Sequence, residues 1–278
     1  MKIKSVIVAV ALVVFALVLK TDSVYASTTS PIYKPVVSLK KVSYYTKMRS
    51  SGHNYGLYHS GAYQTSEDNM HKIGSRLTYK GKTIHVTREQ KTADGTWLKF
   101  TYNHTYTAWM HQNGIVKSFR YLSVPLIAQR PELPTGCEIT ATAMMLNYAG
   151  AKVSKMTLAK EMPRSSNPNK GFVGSPYSTS GWYVYPGGLK GIVKKYTGSA
   201  VNMTGQSFAK IKAKINAGRP VVVWLANMHG FPNHAVTVRG YSSSRVYYND
   251  PWTYKKTSMS ITSFQKHRKL DAYRALSY

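Results

Sequence analysis

The period of apolar and polar positions changes near residue 120. From 42 to about 119, short apolar or aromatic runs alternate with Gly, Asn and Asp. The runs SYY, GLYHSGAY, RLTYKGKTIHVTREQ, TWLKFTY and YTAWMH read as strands. Lys80-Gly81-Lys82 and Ala93-Asp94-Gly95 read as hairpin turns, because Gly and Asp-Gly supply positive φ at little cost. About 80 residues of short strands predict a small all-β barrel. Beyond residue 120 the pattern becomes helical. Residues 138–149 have high helical propensity and Gly150 is a natural residue to follow the last turn. Helices are also expected over 154–162 and 189–196. Another is expected over 207–217, where Ser207 caps, Phe208, Ile211 and Ile215 share a face, and Gly218 closes. Three strands follow: 221–225, wholly apolar; 234–241, alternating; and 245–249, joined to the previous one by Ser242-Ser243-Ser244. Helices first and an antiparallel sheet afterwards predict an α+β class.

Residues 163–188 fit neither period. They are rich in Pro, Gly, Ser and Asn but carry Phe172, Tyr177, Trp182, Tyr183 and Tyr185. Irregular stretches of this length inside a domain are usually functional, and the aromatic rings argue for an ordered loop. Tyr177, Trp182 and Tyr183 are the expected substrate-contacting rings.

The N-terminus adds a compartment. Lys2 and Lys4 precede an apolar run from 5 to 19, and Val24-Tyr25-Ala26 offers small residues for cleavage. This predicts a secretory signal over 1–26, too short in its apolar part for the roughly 20 residues of a spanning helix. The expected organisation is then a linker over 27–41, the β-unit over 42–120 and the α+β unit over 121–278. No transmembrane segment is expected after cleavage.

Charge narrows the partners. The net charge is +28 over 278 residues, and about +26 once Lys2, Lys4, Lys20 and Asp22 are removed. Such a chain is drawn to polyanions. The charge is spread over both halves without a long basic run or a zinc-finger spacing, which suits an anionic wall polymer better than a nucleic acid. Tyrosine is abundant, at 22 against 7 Phe, as exposed β-structure or a polysaccharide-binding surface would require.

The chemistry centres on Cys137, the single cysteine. In a secreted protein it has no intramolecular partner, so it is either buried or used. It lies where the helix begins, a position that favours a thiolate. A base is needed, and His234 at the start of one strand supplies it. Asp250 ends the antiparallel neighbour; a hairpin centred near Ser243 sets 234 opposite about 252, close to Asp250. Asn249 could orient the imidazole instead, although alternation turns it to the other face. His229 is the nearest rival base. Gln129, upstream of the thiol, and the Cys137 backbone N–H are candidate oxyanion donors. No HExxH or paired cysteines occur, and neither metal nor cofactor is expected.

Two resemblances extend this reading. Asn54-Tyr55-Gly56-Leu57-Tyr58, Ala62-Tyr63-Gln64-Thr65, Tyr79-Lys80-Gly81-Lys82 and Asp94-Gly95-Thr96-Trp97-Leu98-Lys99-Phe100 resemble the GW modules of Gram-positive surface proteins. The naming Gly-Trp dipeptide is Ala108-Trp109 here. The resemblance implies a barrel similar to the Src-homology-3 fold that holds teichoic acids, with Tyr55, Tyr58, Tyr63, Trp97 and Trp109 as wall-binding rings. Over 121–278, Gln129, PTGCEIT, Asn233-His234-Ala235-Val236 and Asn249-Asp250-Pro251-Trp252 resemble the papain-like cysteine peptidases related to the double-glycine leader peptidases of bacteriocin export. That resemblance implies Cys137 as nucleophile, His234 as base, Asp250 as orienter and Gln129 as oxyanion donor. The expectation is a secreted, envelope-associated, monomeric cysteine peptidase or amidase acting on a peptide, protein or peptidoglycan stem. The alternatives are a non-catalytic surface adhesin and, less in keeping with the charge pattern, a nucleic-acid binder.

Overall fold

The computed structural model describes residues 36–61, 72–93 and 95–278. The expected signal segment, Tyr63 and Asp94 lie outside them. The first half contains β1 (Ser38–Lys47), β2 (Gly56–Tyr58), β3 (Lys72–Ser75), β4 (Thr83–Thr92), β5 (Gly95–Tyr102), β6 (Tyr106–His111) and the short β7 (Arg120–Tyr121). The second half contains α1 (Cys137–Tyr148), α2 (Lys155–Glu161), α3 (Pro186–Thr197), β8 (Val201–Asn202), α4 (Phe208–Asn216), β9 (Val221–Leu225), β10 (His234–Tyr241), β11 (Arg245–Asp250), β12 (Lys255–Ser260), α5 (Ile261–Leu270) and β13 (Ala275–Ser277). The pairings are antiparallel and the class is α+β.

The first half is all β. Its strands run in the order β3-β2-β6-β5-β4-β1, and the sheet curls until the end of β1 meets the chain just past β6 at a Met48–Ile115 bridge. The described pairings do not otherwise close it into a barrel. Three readings of this half change. Residues 38–41, expected in a linker, open β1 and pair with 88–91 of β4; their Ser/Lys content reflects an exposed strand end. RLTY is a 3-10 turn, Arg76–Tyr79, and Lys80-Gly81-Lys82 leads from it into β4 instead of joining two strands. The cause is distant: fully buried Arg76 donates to the carbonyls of Arg49, Gly52 and His53, which fixes the turn. Finally, the expected boundary at 120/121 falls inside β7, which pairs with β1 on one side and β10 on the other. One sheet therefore runs through both halves.

In the second half, α1 is the central helix. Every residue from Cys137 to Leu146 is buried, packed on β9 and β10. Thr237 on β10 donates its hydroxyl to the Ala141 carbonyl, which registers helix against sheet. Three elements of the C-terminal stretch go beyond the sequence reading: β12, α5 and β13. The helix α5 buries Phe264 and Arg268 and is started by Ser260, whose hydroxyl accepts from the Ser263 N–H. Among the described residues no helix is long and apolar enough to cross a membrane.

Candidate functional site

The path into α1 is a tight turn held from several sides. The Gln129 N–H donates to the Pro251 carbonyl, and Lys155 Nζ reaches the Ala128 and Gln129 carbonyls at 2.5 and 3.0 Å. Gly136 precedes the helix; a Cβ there would meet Leu133 Cβ at 2.7 Å, so the close approach requires glycine. Cys137 thus emerges at the first residue of α1, only 7% exposed, on the floor of a cleft of about 260 Å³.

The cleft is lined by Gln129, Cys137, Trp182, Tyr183, Asn233 and His234, among others. Five of these, all but Asn233, were singled out as site residues from sequence, over an interval of more than 100 positions. His234 turns Nε2 to Asp250 Oδ1 at 2.9 Å, and both side chains are 1% exposed. Asn249 faces away, donating to the carbonyls of Val124 and Pro125. Of the two candidates, Asp250 is therefore the one hydrogen-bonded to His234. The pairing Thr237↔Asn249 fixes the register that brings them together.

Asp250 has more partners than the sequence suggested. His229 Nε2 lies 2.7 Å from Oδ2, and the Trp252 and Thr253 N–H groups donate to Oδ1. Burial alone would raise this carboxyl's pKa. The hydrogen bonds and charges of His234 and then His229 outweigh burial and hold it well below the carboxylate range. His229 has φ 54°, a conformation rare for a non-glycine residue and invisible to periodicity. Its ring is placed by that backbone and packs edge-on against His234. Among the described residues, His229, His234 and Asp250 are also the one group whose metal-ligating atoms come within 4.8 Å of one another. Their nitrogen–oxygen separations are hydrogen-bond lengths, shorter than the roughly 3.3 Å that 2.0–2.1 Å bonds to a tetrahedral ion would set.

The environment of the thiol corrects an expectation. A helix start was expected to favour the thiolate. Instead burial, and after it the neighbouring Glu138 carboxylate, push the Cys137 pKa well above the thiol value; the Ala235 N–H opposes this only in part. The thiol donates to Glu138 Oε2 at 3.2 Å. Glu138 is fully buried, its Oε1 accepting from the Val184 N–H at 3.4 Å, and burial raises its pKa to about 7. Sequence reasoning passed over this residue. Its signal was available: a lone carboxylate in an otherwise apolar and small-residue helix, CEITATAMM, has nowhere to go but inside.

A stability prediction arises from Glu138. Its folded pKa lies above the carboxylate value of 4.5, so the folded state holds the proton more tightly. The stabilisation is complete below about 4.5 and is lost as pH rises towards about 7, amounting to about 3 kcal/mol. Urea unfolding of Glu138→Gln should lack this loss. Relative to wild type, the variant should gain about 3 kcal/mol between pH 5 and pH 8. An unchanged difference between the two proteins would show that burial does not raise the Glu138 pKa above its unfolded value.

Gln129 is 2% exposed and donates Nε2 to the Pro134 carbonyl at 2.9 Å, leaving Oε1 buried without a partner. Flipping the amide would set two acceptors against each other, so the orphan oxygen belongs to the correct orientation. The loop rings divide. Trp182, 64% exposed, and Tyr183 line the cleft; Tyr177 does not, and the Arg164 guanidinium lies 5.9 Å from its ring centroid. The loop is pinned to the turn before α1 by Thr135, whose hydroxyl donates to the carbonyls of Ser175 and Ser178. Tyr183 stacks on Tyr185, which in turn lies under Arg274. The wall-binding rings also divide. Trp109, 7% exposed, belongs to the core of the β-unit, with little face left for a ligand. Tyr58 packs edge-on against Trp97, and Tyr55 stacks on His111. These rings are half-buried and pack on one another or on histidines of the same unit.

An α+β unit with a buried cysteine on its central helix and a His–Asp pair on the adjoining sheet has the architecture of a papain-like peptidase. Residues 121–278 match the Peptidase C39-like family, and the chain belongs to it. Residues 38–116 match the GW (Gly-Tryp) dipeptide domain. A relative from Bacillus subtilis (strain 168), the uncharacterized protein YvpB, is 35% identical, with 49% of this chain and 66% of that protein covered. The chain thus spans just under two thirds of that relative's length. A crystal structure described as a C39-like peptidase from Bacillus anthracis is 34% identical, covers 56% of this chain and 94% of its own, and superposes with a TM-score of 0.52.

Proposed function

We propose that the protein is a secreted, envelope-associated cysteine peptidase or amidase, with Cys137 as nucleophile, His234 as general base, Asp250 as its orienter and Gln129 as oxyanion donor. The observation that carries this reading is the convergence of Gln129, Cys137 and His234 on one cleft, with His234 Nε2 bonded to buried Asp250. Because Nε2 is committed to Asp250, Nδ1 is the nitrogen left to take the thiol proton. The thiolate then attacks the substrate carbonyl carbon. Negative charge builds on the carbonyl oxygen, where the second Gln129 Nε2 hydrogen and the Cys137 N–H stabilise it. Collapse breaks the C–N bond, His234 returns its proton to the leaving amine, and a thioester remains on Cys137. Water, deprotonated by His234, releases the acid. In this reading Glu138 keeps the resting thiol protonated, and substrate entry redirects it to His234. His229 holds the second oxygen of Asp250 and so fixes the carboxylate plane. The β-unit, read as a GW-type barrel, holds the enzyme on an anionic wall polymer such as teichoic acid. The substrate is a peptide, a protein or a peptidoglycan peptide.

The test is an acyl adduct. A short peptide p-nitrophenyl ester, quenched in acid during turnover, should add the acyl mass to the tryptic peptide that contains Cys137. Absence of the adduct under burst conditions would overturn the nucleophile assignment. Trp182→Ala should raise KM by about tenfold with a smaller change in kcat, since an exposed ring at the cleft mouth binds ground and transition states alike. A dominant fall in kcat would instead place the ring at the reacting centre.

One observation favours a second reading, a non-catalytic binding protein on the same scaffold: the resting thiol is neutral and engaged by Glu138. That reading predicts no adduct and unimpaired binding in Cys137→Ala.

A further inference from the structure

The described rings of the β-unit chosen from sequence are packed within that unit, yet a row of half-exposed rings stands where the two halves meet. Cross-strand pairing aligns it: His85 on β4 faces Tyr45 on β1, Tyr45 faces Tyr121 on β7, Tyr121 faces Gly240 on β10, and Gly240 faces Tyr247 on β11. Directly paired residues share a face of the sheet. The first three rings stack, with centroids 4.6 and 4.9 Å apart. Gly240 breaks the row. A Cβ there would lie 2.3 Å from Tyr121 Cβ, so β7 can press against β10 only because this residue is glycine. The break leaves a trough of about 510 Å³ between Tyr121 and Tyr247, with Lys256 on its rim.

A β-bulge decides what lies in the trough. Between Val238 and Gly240 the β10–β11 register slips by one, and Arg239 is the extra residue. Strict alternation would send its side chain to the face opposite Gly240; the bulge re-aims it onto the aromatic face, with the guanidinium 5.3 Å from the Tyr121 ring centroid. No carboxylate pairs with it among the described residues, and its Nε is buried without a partner. Burial lowers its pKa, as expected of a cation lacking a counter-charge. Buried charges in folded proteins are ordinarily paired, and a planar guanidinium suits a two-pronged oxyanion.

We infer that this trough binds a linear anionic carbohydrate polymer, whose phosphate or carboxylate groups lie on Arg239 and Lys256 while its C–H faces pack along the Tyr45, Tyr121 and Tyr247 rings. Tyrosine hydroxyls on the same row meet the polymer's hydroxyl groups. The site deepens the envelope-binding half of the proposed function and moves it from the β-unit to the seam, built jointly by both halves.

The test uses the full mature chain carrying Cys137→Ala, so that cleavage does not enter. Binding is measured by calorimetry at 0.15 M salt to three probes: a glycerol-phosphate oligomer, an oligogalacturonate and a neutral chitooligosaccharide. The two acidic probes distinguish phosphate from carboxylate, and the neutral one should bind at least about tenfold more weakly than the better of them. Arg239→Gln should weaken that better probe by about tenfold or more, and Tyr247→Ala should weaken it as well. Lys190→Gln, an equal loss of charge on an exposed part of α3, should change it by less than about twofold. If Arg239→Gln and Lys190→Gln weaken binding equally, polymer binding stands but the seam site is overturned. If neither acidic probe binds the unaltered seam, both the site and the envelope-binding reading fall, with the hydrolytic reading untouched.

Discussion

Cys137→Ser is expected to reduce hydrolysis by about 10⁴-fold or more without unfolding the protein. The substitution exchanges one sulfur for one oxygen in a nearly enclosed position, so packing loss is small. The chemical loss is large. A hydroxyl is far harder to ionise than a thiol, and His234 alone supplies too weak a driving force at a site arranged for sulfur. The cleft, the Asp250 network and the Gln129 donor persist in the variant. Residual rate therefore reports what those groups achieve without a nucleophile. Retention of turnover within tenfold, with the variant's mass confirmed, would remove Cys137 from the reaction.

Asp250→Asn is expected to lower kcat by about 10³- to 10⁴-fold and to destabilise the fold by about 3 kcal/mol or more. Both effects come from one carboxylate that accepts from His234, His229 and the Trp252 and Thr253 N–H groups. An amide has only one accepting oxygen. Its NH₂ must confront a ring nitrogen or a backbone N–H, which either flips the His234 tautomer or leaves a buried donor unpaired. The pH dependence carries a sign. The folded pKa of Asp250 lies below its unfolded value, so its stabilisation is present above about 3.9 and is lost only as pH falls below that. Denaturant titrations should show the wild-type advantage over Asp250→Asn shrinking below pH 4. Asn249→Ala is the matched control. That side chain ties β11 to the Val124–Pro125 segment, so stability should fall while kcat changes by less than about tenfold. The reverse ranking of kcat effects would make Asn249 the orienter.

The parts legible in the sequence were those set by local rules. Gly150 and Gly218 close helices where expected, β9 and β10 run over 221–225 and 234–241 as the apolar pattern indicates, and the hairpin about Ser243 gave a register that brings His234 to Asp250. What was missed depends on contacts remote in the chain or on uncommon backbone. Arg76 turns a strand-like RLTY into a 3-10 turn by bonding carbonyls more than 20 residues away. His229 reaches Asp250 through a left-handed residue that no pattern announces. The state of the thiol was misjudged because the helix start was weighed and the buried Glu138 beside it was not. Trp109 reads as a ligand-binding ring by its place in a motif, but the curl of the sheet encloses it.

Cleavage of an acyl bond by Cys137 can be read out by side-by-side digestion. Casein and purified peptidoglycan are each incubated with wild type and with Cys137→Ala, and the products are read by mass spectrometry for new amino and carboxyl termini. New termini are expected in at least one substrate with wild type and none with the variant. Identical product spectra from the two proteins on both substrates would contradict that expectation.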